Sequence, residues 1–166
     1  MAGMINQVID IMNEQCERHS ELLGLSHEEK DAIIQNDAET LQKLIQLKQI
    51  VISQNNRLEK KRLSLVSDIA EVLGQTNKNP NLGELIALLE GQKEQAMLRE
   101  VGERLRKVVY ELKEANDSNR ELLQIALDYV NYSINALSTI VPEPSTMPIA
   151  NRGVEEPTGS RLNRKM

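Results

Sequence analysis

Residues 98–140 decide the fold, and they read LREVGERLRKVVYELKEANDSNRELLQIALDYVNYSINALSTI. A seam of mostly apolar side chains recurs there at alternating steps of three and four, which places it on one face of a long helix. The seam consists of Leu98, Val101, Leu105, Val108, Leu112, Ala115, Asn119, Leu122, Ala126, Tyr129, Ser133, Ala136 and Ile140. A second column beside it holds Val109, Asn116, Leu123, Val130 and Leu137. The combined stripe is too wide for a two-helix seam, so this helix should contact two partners.

Two further long helices precede this segment. The first is predicted from Met4 to Gln35, because its apolar spacing keeps its phase across Gly24. The second follows the Asn36-Asp37 turn and runs to Leu73, with Asp37 as its N-cap. Its heptad positions are Leu44, Val51, Leu58, Leu65 and Val72. The neighbouring column consists of Leu41, Lys48, Asn55, Arg62 and Ile69. Its three polar residues weaken the packing of a seam but can fix the register of helices.

A short third helix is predicted between Gly74 and Gly91. Asn81 and Glu84 have the spacing of a capping box at its start. We expect it to lie where the first helix begins and to cover the apolar side chains of Met4, Val8 and Ile11.

These elements predict an all-α protein, an elongated antiparallel three-helix bundle or coiled coil with one short extra helix. Residues 1–140 form the bundle domain, and the Pro-rich residues 141–166 form a disordered tail that we expect to be solvated. The fourth helix exceeds the second by about ten residues, which corresponds to an overhang of about 15 Å. Val130, Ile134, Leu137 and Ile140 would lie exposed on this overhang, and exposed apolar stripes commonly mark binding surfaces.

Composition narrows the classes of function. The net charge of −5 gives no reason to expect nucleic-acid binding. Asp10 and Glu14 interrupt the N-terminal apolar run that a signal peptide needs, and no stretch reaches the length of a membrane span. The single cysteine, Cys16, excludes an internal disulfide. We therefore expect a cytoplasmic protein without membrane insertion.

Motifs for catalysis or cofactor binding are missing from the sequence. Cys16 and His19 are three residues apart and could begin a metal site, but a closed zinc site needs four ligands. The glycines occur singly, so no phosphate-binding loop is predicted. We expect no catalytic residues, no metal and no cofactor, and hence no enzyme. The remaining feature of the sequence is apolar surface along its helices, and such a surface typically binds another amphipathic helix.

Two stretches resemble the FlgN-type flagellar export chaperones. One is the predicted hairpin AIIQNDAETLQKLIQLKQ at 32–49, and the other is NRELLQIALDYVNYSINAL at 119–137. The likeness extends over about residues 2 to 140.

The resemblance implies a function and a site. Chaperones of this kind bind the C-terminal amphipathic helices of hook–filament junction proteins in the cytoplasm. They prevent premature assembly and deliver these clients to the type III export gate, which implies contacts with gate or ATPase components. The family's client surface corresponds here to Leu122, Leu123, Ala126, Tyr129, Val130, Ile134 and Leu137. For each of these residues, burial in the bundle core is the alternative interpretation.

A second function is also compatible with the pattern. The chain could be a structural coiled-coil subunit that oligomerises through the apolar stripe of its last helix. Lys48, Asn55 and Arg62 would then specify the register between chains rather than within one chain.

Overall fold

The computed structural model describes residues 1–140, with side chains as far as Leu137, and this part of the chain is helical. The helices are α1 (Ala2–Ile34), α2 (Ala38–Val72), α3 (Leu82–Leu88) and α4 (Lys93–Ile140). The predicted fold class is confirmed, and the long helices end within two residues of their predicted limits. The predicted tail, residues 141–166, lies outside the described residues.

The chain divides into two units, Met1–Tyr129 and Val130–Met166. The first unit contains α1, α2, α3 and the part of α4 that ends at Tyr129. The described part of the second unit is the C-terminal stretch of α4.

The predicted helix starts are confirmed in their hydrogen bonds. Asp37 caps α2, since its Oδ1 accepts from the Thr40 backbone N–H at 3.0 Å and its Oδ2 accepts from the Thr40 hydroxyl at 2.7 Å. These bonds favour the ionised carboxylate, so the pKa of Asp37 is lowered. Asn81 and Glu84 form the predicted capping box of α3.

Contacts between the long helices set their directions. Gln15 of α1 bonds to Glu59 of α2, and Glu29 of α1 bonds to Lys48, so α1 and α2 are antiparallel. Toward α4, Cys16 meets Val101 and the later Ser26 meets Asn116, so α1 and α4 are parallel. Within residues 1–129 the three long helices therefore form an up-down-up bundle.

The main apolar core lies where α1 begins. Its buried members are Ile5, Val8, Ile9, Met12, Cys16, Val66, Ile69, Leu85, Leu89, Leu98 and Val101. Leu85 and Leu89 belong to α3 and its C-cap, so the expected position of the short helix is confirmed, and Met4 also packs there. Ile11 differs from the expectation. It is half-buried and lines a groove between α1 and α2 with Lys61 and Leu65.

The heptad pattern of α2 fails at its C-terminal end. Leu44, Val51 and Leu58 are buried as predicted, and so is Ile69 of the neighbouring column, but Val72 is exposed and Ala70, which no column contained, is buried. A straight helix drifts by about 20° for every seven residues, so positions four heptads apart no longer share a face. The seven-residue count is therefore wrong for Val72, while it is right for Ile69.

Candidate partner-binding surface

The predicted client-binding residues lie on α4, and within the first unit they have different surroundings. Leu122 and Ala126 are half-buried. Ala126 and Leu123 line a cleft of about 100 Å³ at the α1–α2 turn, together with Ala32, Ile33, Asn36, Asp37, Ala38 and Leu41. Leu122 and Ala126 are therefore covered only in part, and neither belongs to the buried core.

Tyr129 lies on the same seam, but its side chain is 71% exposed. Burial in the core, the alternative interpretation, is therefore wrong for Tyr129. The 4-3 spacing continues through this residue because spacing reports which side chains share a helix face. Spacing does not report whether a neighbouring helix reaches that face.

Three of the predicted residues belong to the second unit, and their side chains are exposed as well. Val130, Ile134 and Leu137 are all exposed, and the core interpretation is wrong for each of them. The side chain of Ile140, the fourth residue of the expected stripe, lies outside the described side chains. Exposure makes these residues available, while partner binding itself remains a prediction.

Within residues 122–137, the sequence reasoning missed three exposed apolar residues: Ile125, Leu127 and Tyr132. They fall outside the two columns that were counted. Leu127 is found if steps of four and three residues are counted from Leu123. We call the resulting set the leucine stripe: Leu123, Leu127, Val130, Ile134 and Leu137. The same steps counted from Ile125 give a second set, which we call the tyrosine stripe: Ile125, Tyr129 and Tyr132. Exposure in the two stripes ranges from 36% for Leu123 to 72% for Tyr132.

Charge is sparse around the two stripes. Residues 122–137 contain one charged side chain, Asp128, which accepts a hydrogen bond from Gln124 at 3.0 Å. Nearly half of the preceding α4 residues, 93–121, are charged. The surface is thus suited to apolar packing and side-chain amide contacts rather than to ion pairs.

Upstream on α4, five polar side chains meet between α1, α2 and α4, and we call them the polar layer: Ser26, Glu29, Lys48, Asn116 and Asn119. Lys48 Nζ donates to Glu29 Oε2 at 2.7 Å and to Asn116 Oδ1 at 3.1 Å. Asn119 Nδ2 donates to the Ser26 carbonyl at 2.7 Å and to Glu29 Oε2 at 3.0 Å. Asn119 is therefore a buried cross-link between α4 and α1.

The two other polar residues of the α2 column, Asn55 and Arg62, do not take part in the hydrogen bonds of the polar layer that are described above. Arg62 forms two hydrogen bonds with Glu59 of the same helix, and Glu59 also accepts from Gln15 of α1 at 2.9 Å. The hydrogen bonds from Arg62, and then that from Gln15, lower the pKa of Glu59 against the opposing effect of its partial burial. Asn55 Oδ1 is buried without a hydrogen-bond partner.

Cys16 and His19 have protein neighbours of their own in the structure. The Cys16 thiol is buried near the Val101 carbonyl oxygen, and this burial raises its pKa. His19 Nδ1 lies 2.7 Å from the Gln15 carbonyl oxygen. Across residues 1–140, no group of three potential metal-ligating side chains lies together. None of the helices in that range is both long and apolar enough to cross a bilayer.

The sequence model of a family described as FlgN protein matches residues 1–146. No curated protein and no solved structure matches the chain.

Proposed function

Because the chain belongs to the FlgN protein family, which indicates a flagellar export chaperone, we propose that it holds the C-terminal amphipathic helices of hook–filament junction proteins. In this role it acts in the cytoplasm, without inserting into a membrane or binding nucleic acid. It prevents its clients from assembling early and delivers them to the type III export gate, where gate or ATPase components receive them.

The observation that carries this proposal is the exposed apolar surface near the end of α4. Val130, Ile134 and Leu137 are exposed at the spacing that an amphipathic helix uses to pack against another. Exposed apolar side chains do not stabilise the fold of the chain itself. A contiguous group of them commonly marks a surface that binds a partner.

The physical chemistry of the complex suits a chaperone that must release its client. A client segment that is unfolded before assembly becomes helical on binding, and this ordering costs several kcal/mol of the interaction energy. Specific contacts can therefore coexist with an affinity that permits release. The same apolar surface can accept more than one amphipathic client. Apolar packing restricts the sequence of the client less than specific ion pairs would.

The direct test mixes this chain with a peptide from the C-terminus of a hook–filament junction protein of the same bacterium. We expect a stoichiometric complex and a gain of helical circular dichroism beyond the sum of the two components. Val130→Asp and Leu137→Asp should abolish binding at micromolar concentration, because a carboxylate would be desolvated at the contact. Asn131→Asp adds the same charge to an exposed polar position of α4 and should bind like the unsubstituted chain.

All four proteins should have the same helical content, since each substituted side chain is exposed. Absence of binding by the unsubstituted chain would reject the chaperone proposal. A stable oligomer in sedimentation without a client would instead favour the structural coiled-coil subunit. Lys48 bonds to Glu29 of α1 and Asn116 of α4 within one chain, which favours a role for this residue in register within the chain.

A further inference from the structure

A cleft of about 520 Å³ lies within the first unit, between α1, α2, α4 and the loop that leads into α3. Gln15 of α1 lines it, together with Asn55 and Arg62 of α2 and Val109 of α4. None of its lining residues belongs to the leucine stripe or the tyrosine stripe. The cleft is therefore a feature separate from the candidate client surface.

The cleft contains a buried hydrogen-bond acceptor without a donor. Gln15 is only 3% exposed, and its Nε2 donates to Glu59 Oε2 at 2.9 Å, which fixes the orientation of its amide. Its Oε1 receives no hydrogen bond from the described residues 1–140. A buried carbonyl oxygen without a donor costs free energy comparable to a lost hydrogen bond. The cleft therefore favours an occupant that donates.

Asn55 supplies a second acceptor in the same cleft. Its Oδ1 is buried, and it too lacks a hydrogen-bond donor in the part of the chain that the structure describes. The terminal amides of Gln15 and Asn55 turn about torsions with broad energy wells, so a small rotation brings either oxygen toward the cleft. Two acceptors match in number the two N–H donors of a primary amide.

An ion pair in the cleft sets the charge of the occupant. Arg62 donates to Glu59 from Nε at 2.8 Å and from Nη2 at 2.6 Å, so the carboxylate charge is already compensated. An ammonium group would lie near Arg62 without a free counter-charge, and a carboxylate has no hydrogen to donate to Gln15. Arg62 keeps further N–H donors for a carbonyl oxygen. A neutral primary amide suits both needs.

The apolar residues of the cleft indicate where this amide comes from. Leu63 and Val109 line the cleft and are 44% and 42% exposed. A small free amide would leave both side chains in contact with water. Apolar residues that flank an amide side chain in a polypeptide would cover them, as at other exposed apolar surfaces that bind proteins.

We propose that this cleft binds the side-chain amide of a glutamine or asparagine in a partner polypeptide, whose flanking apolar residues cover Leu63 and Val109. This inference goes beyond the chaperone proposal and does not depend on it, because the two surfaces share no residue.

The test titrates the full chain with three tripeptides, Leu-Gln-Leu, Leu-Met-Leu and Leu-Glu-Leu, each capped by acetyl and N-methylamide groups. The N-methyl cap avoids a second primary amide. Nuclear magnetic resonance of the side-chain amides of Gln15 and Asn55 follows binding. We expect saturable binding of the glutamine peptide at about millimolar concentration, about tenfold tighter than either other peptide.

Substitutions locate the site. Gln15→Met removes the acceptor with a side chain of similar length and should abolish the preference for glutamine over methionine. Val109→Asp should weaken binding of the glutamine peptide about tenfold, because its carboxylate would be desolvated at the contact. Tyr110→Asp is the matched control: it adds the same charge at an exposed residue of α4 outside the cleft and should change affinity less than about twofold.

Several outcomes would overturn the proposal. These are equal binding of the glutamine and methionine peptides, a glutamine preference that survives Gln15→Met, and a cleft that binds no peptide and holds only water. Saturable binding of propionamide without binding of the glutamine peptide would assign the site to a small amide and overturn the polypeptide assignment. Because no junction protein enters these titrations, their failure leaves the chaperone proposal standing, and failure of the client to bind leaves the cleft proposal standing.

Discussion

At the scale of single residues, the polar layer sets the alignment of the three long helices. The side chains of Lys48 and Glu29 are only 15% and 11% exposed, so both charges are largely removed from water. Each is satisfied by several partners, which must lie at the same level on α1, α2 and α4. A helix shifted by one turn would leave these groups buried and unpaired, at a cost of several kcal/mol.

Lys48→Met tests this arrangement. The substitution leaves the Glu29 carboxylate buried without its cation, so the free energy of unfolding should fall by about 3 kcal/mol. Chemical denaturation monitored by circular dichroism measures the change. Lys43→Met is the matched control, since Lys43 pairs with Glu39 on the exposed side of the same helix and should cost less than about 0.5 kcal/mol. Equal effects of the two substitutions would contradict a stabilising role for the polar layer.

At the scale of helices, glycines have opposite roles according to position. Gly24 lies inside α1, where a Cβ atom would have no neighbour within 4 Å. Gly24→Ala should therefore raise the free energy of unfolding by about 0.5–1 kcal/mol through helix propensity. Gly74 follows α2 with φ at +65°, so Gly74→Ala should lower it by about 1 kcal/mol. Thermal unfolding would show whether the melting temperature rises for Gly24→Ala and falls for Gly74→Ala. A lower melting temperature for Gly24→Ala would contradict the prediction and would mean that α1 needs flexibility at this position.

The limits of the helices could be read from the sequence because capping residues and glycines act locally. Asp37, Asn81 and Gly74 each specify a backbone conformation without reference to the rest of the chain. Burial could not be read in the same way. Tyr129 continues the seam spacing but is exposed, and Val72 continues the heptads but lies off the core face. The exposure of Tyr129 depends on how far the neighbouring helices extend, which the pattern of one helix does not encode. The exposure of Val72 follows from the drift of a straight helix against a seven-residue count.

Only part of the candidate surface could be predicted, because spacing along one helix shows which residues share a face but not which faces are exposed. Val130, Ile134 and Leu137 belong to a continuous apolar series, so sequence reasoning could place them together. Ile125 and Tyr132 belong to a second series on another face, and that series is significant only because the structure leaves both residues exposed. The hydrogen-bond partners of Lys48 could not be predicted from the sequence either, since Glu29 and Asn116 lie on two other helices.

At the scale of the whole molecule, apolar burial is unevenly distributed along the chain. The main core joins the start of α1, the end of α2, α3 and the start of α4. The stretch 122–137 on α4 contains no fully buried side chain. Regions with few buried apolar contacts open at a lower free energy than the core, so backbone protection should follow the same distribution.

Amide hydrogen exchange of the full chain would measure this distribution. We expect the slowest exchange in 5–16, 66–70 and 98–105, because opening those segments exposes the core, and the fastest helical exchange in 122–137. Addition of the client peptide should slow exchange in 122–137 most, since binding stabilises the folded helix by mass action. The core segments serve as the internal control. Uniform protection of α4 without client would contradict the link between burial and local stability, and client-induced protection confined to the core would place the binding surface away from the end of α4.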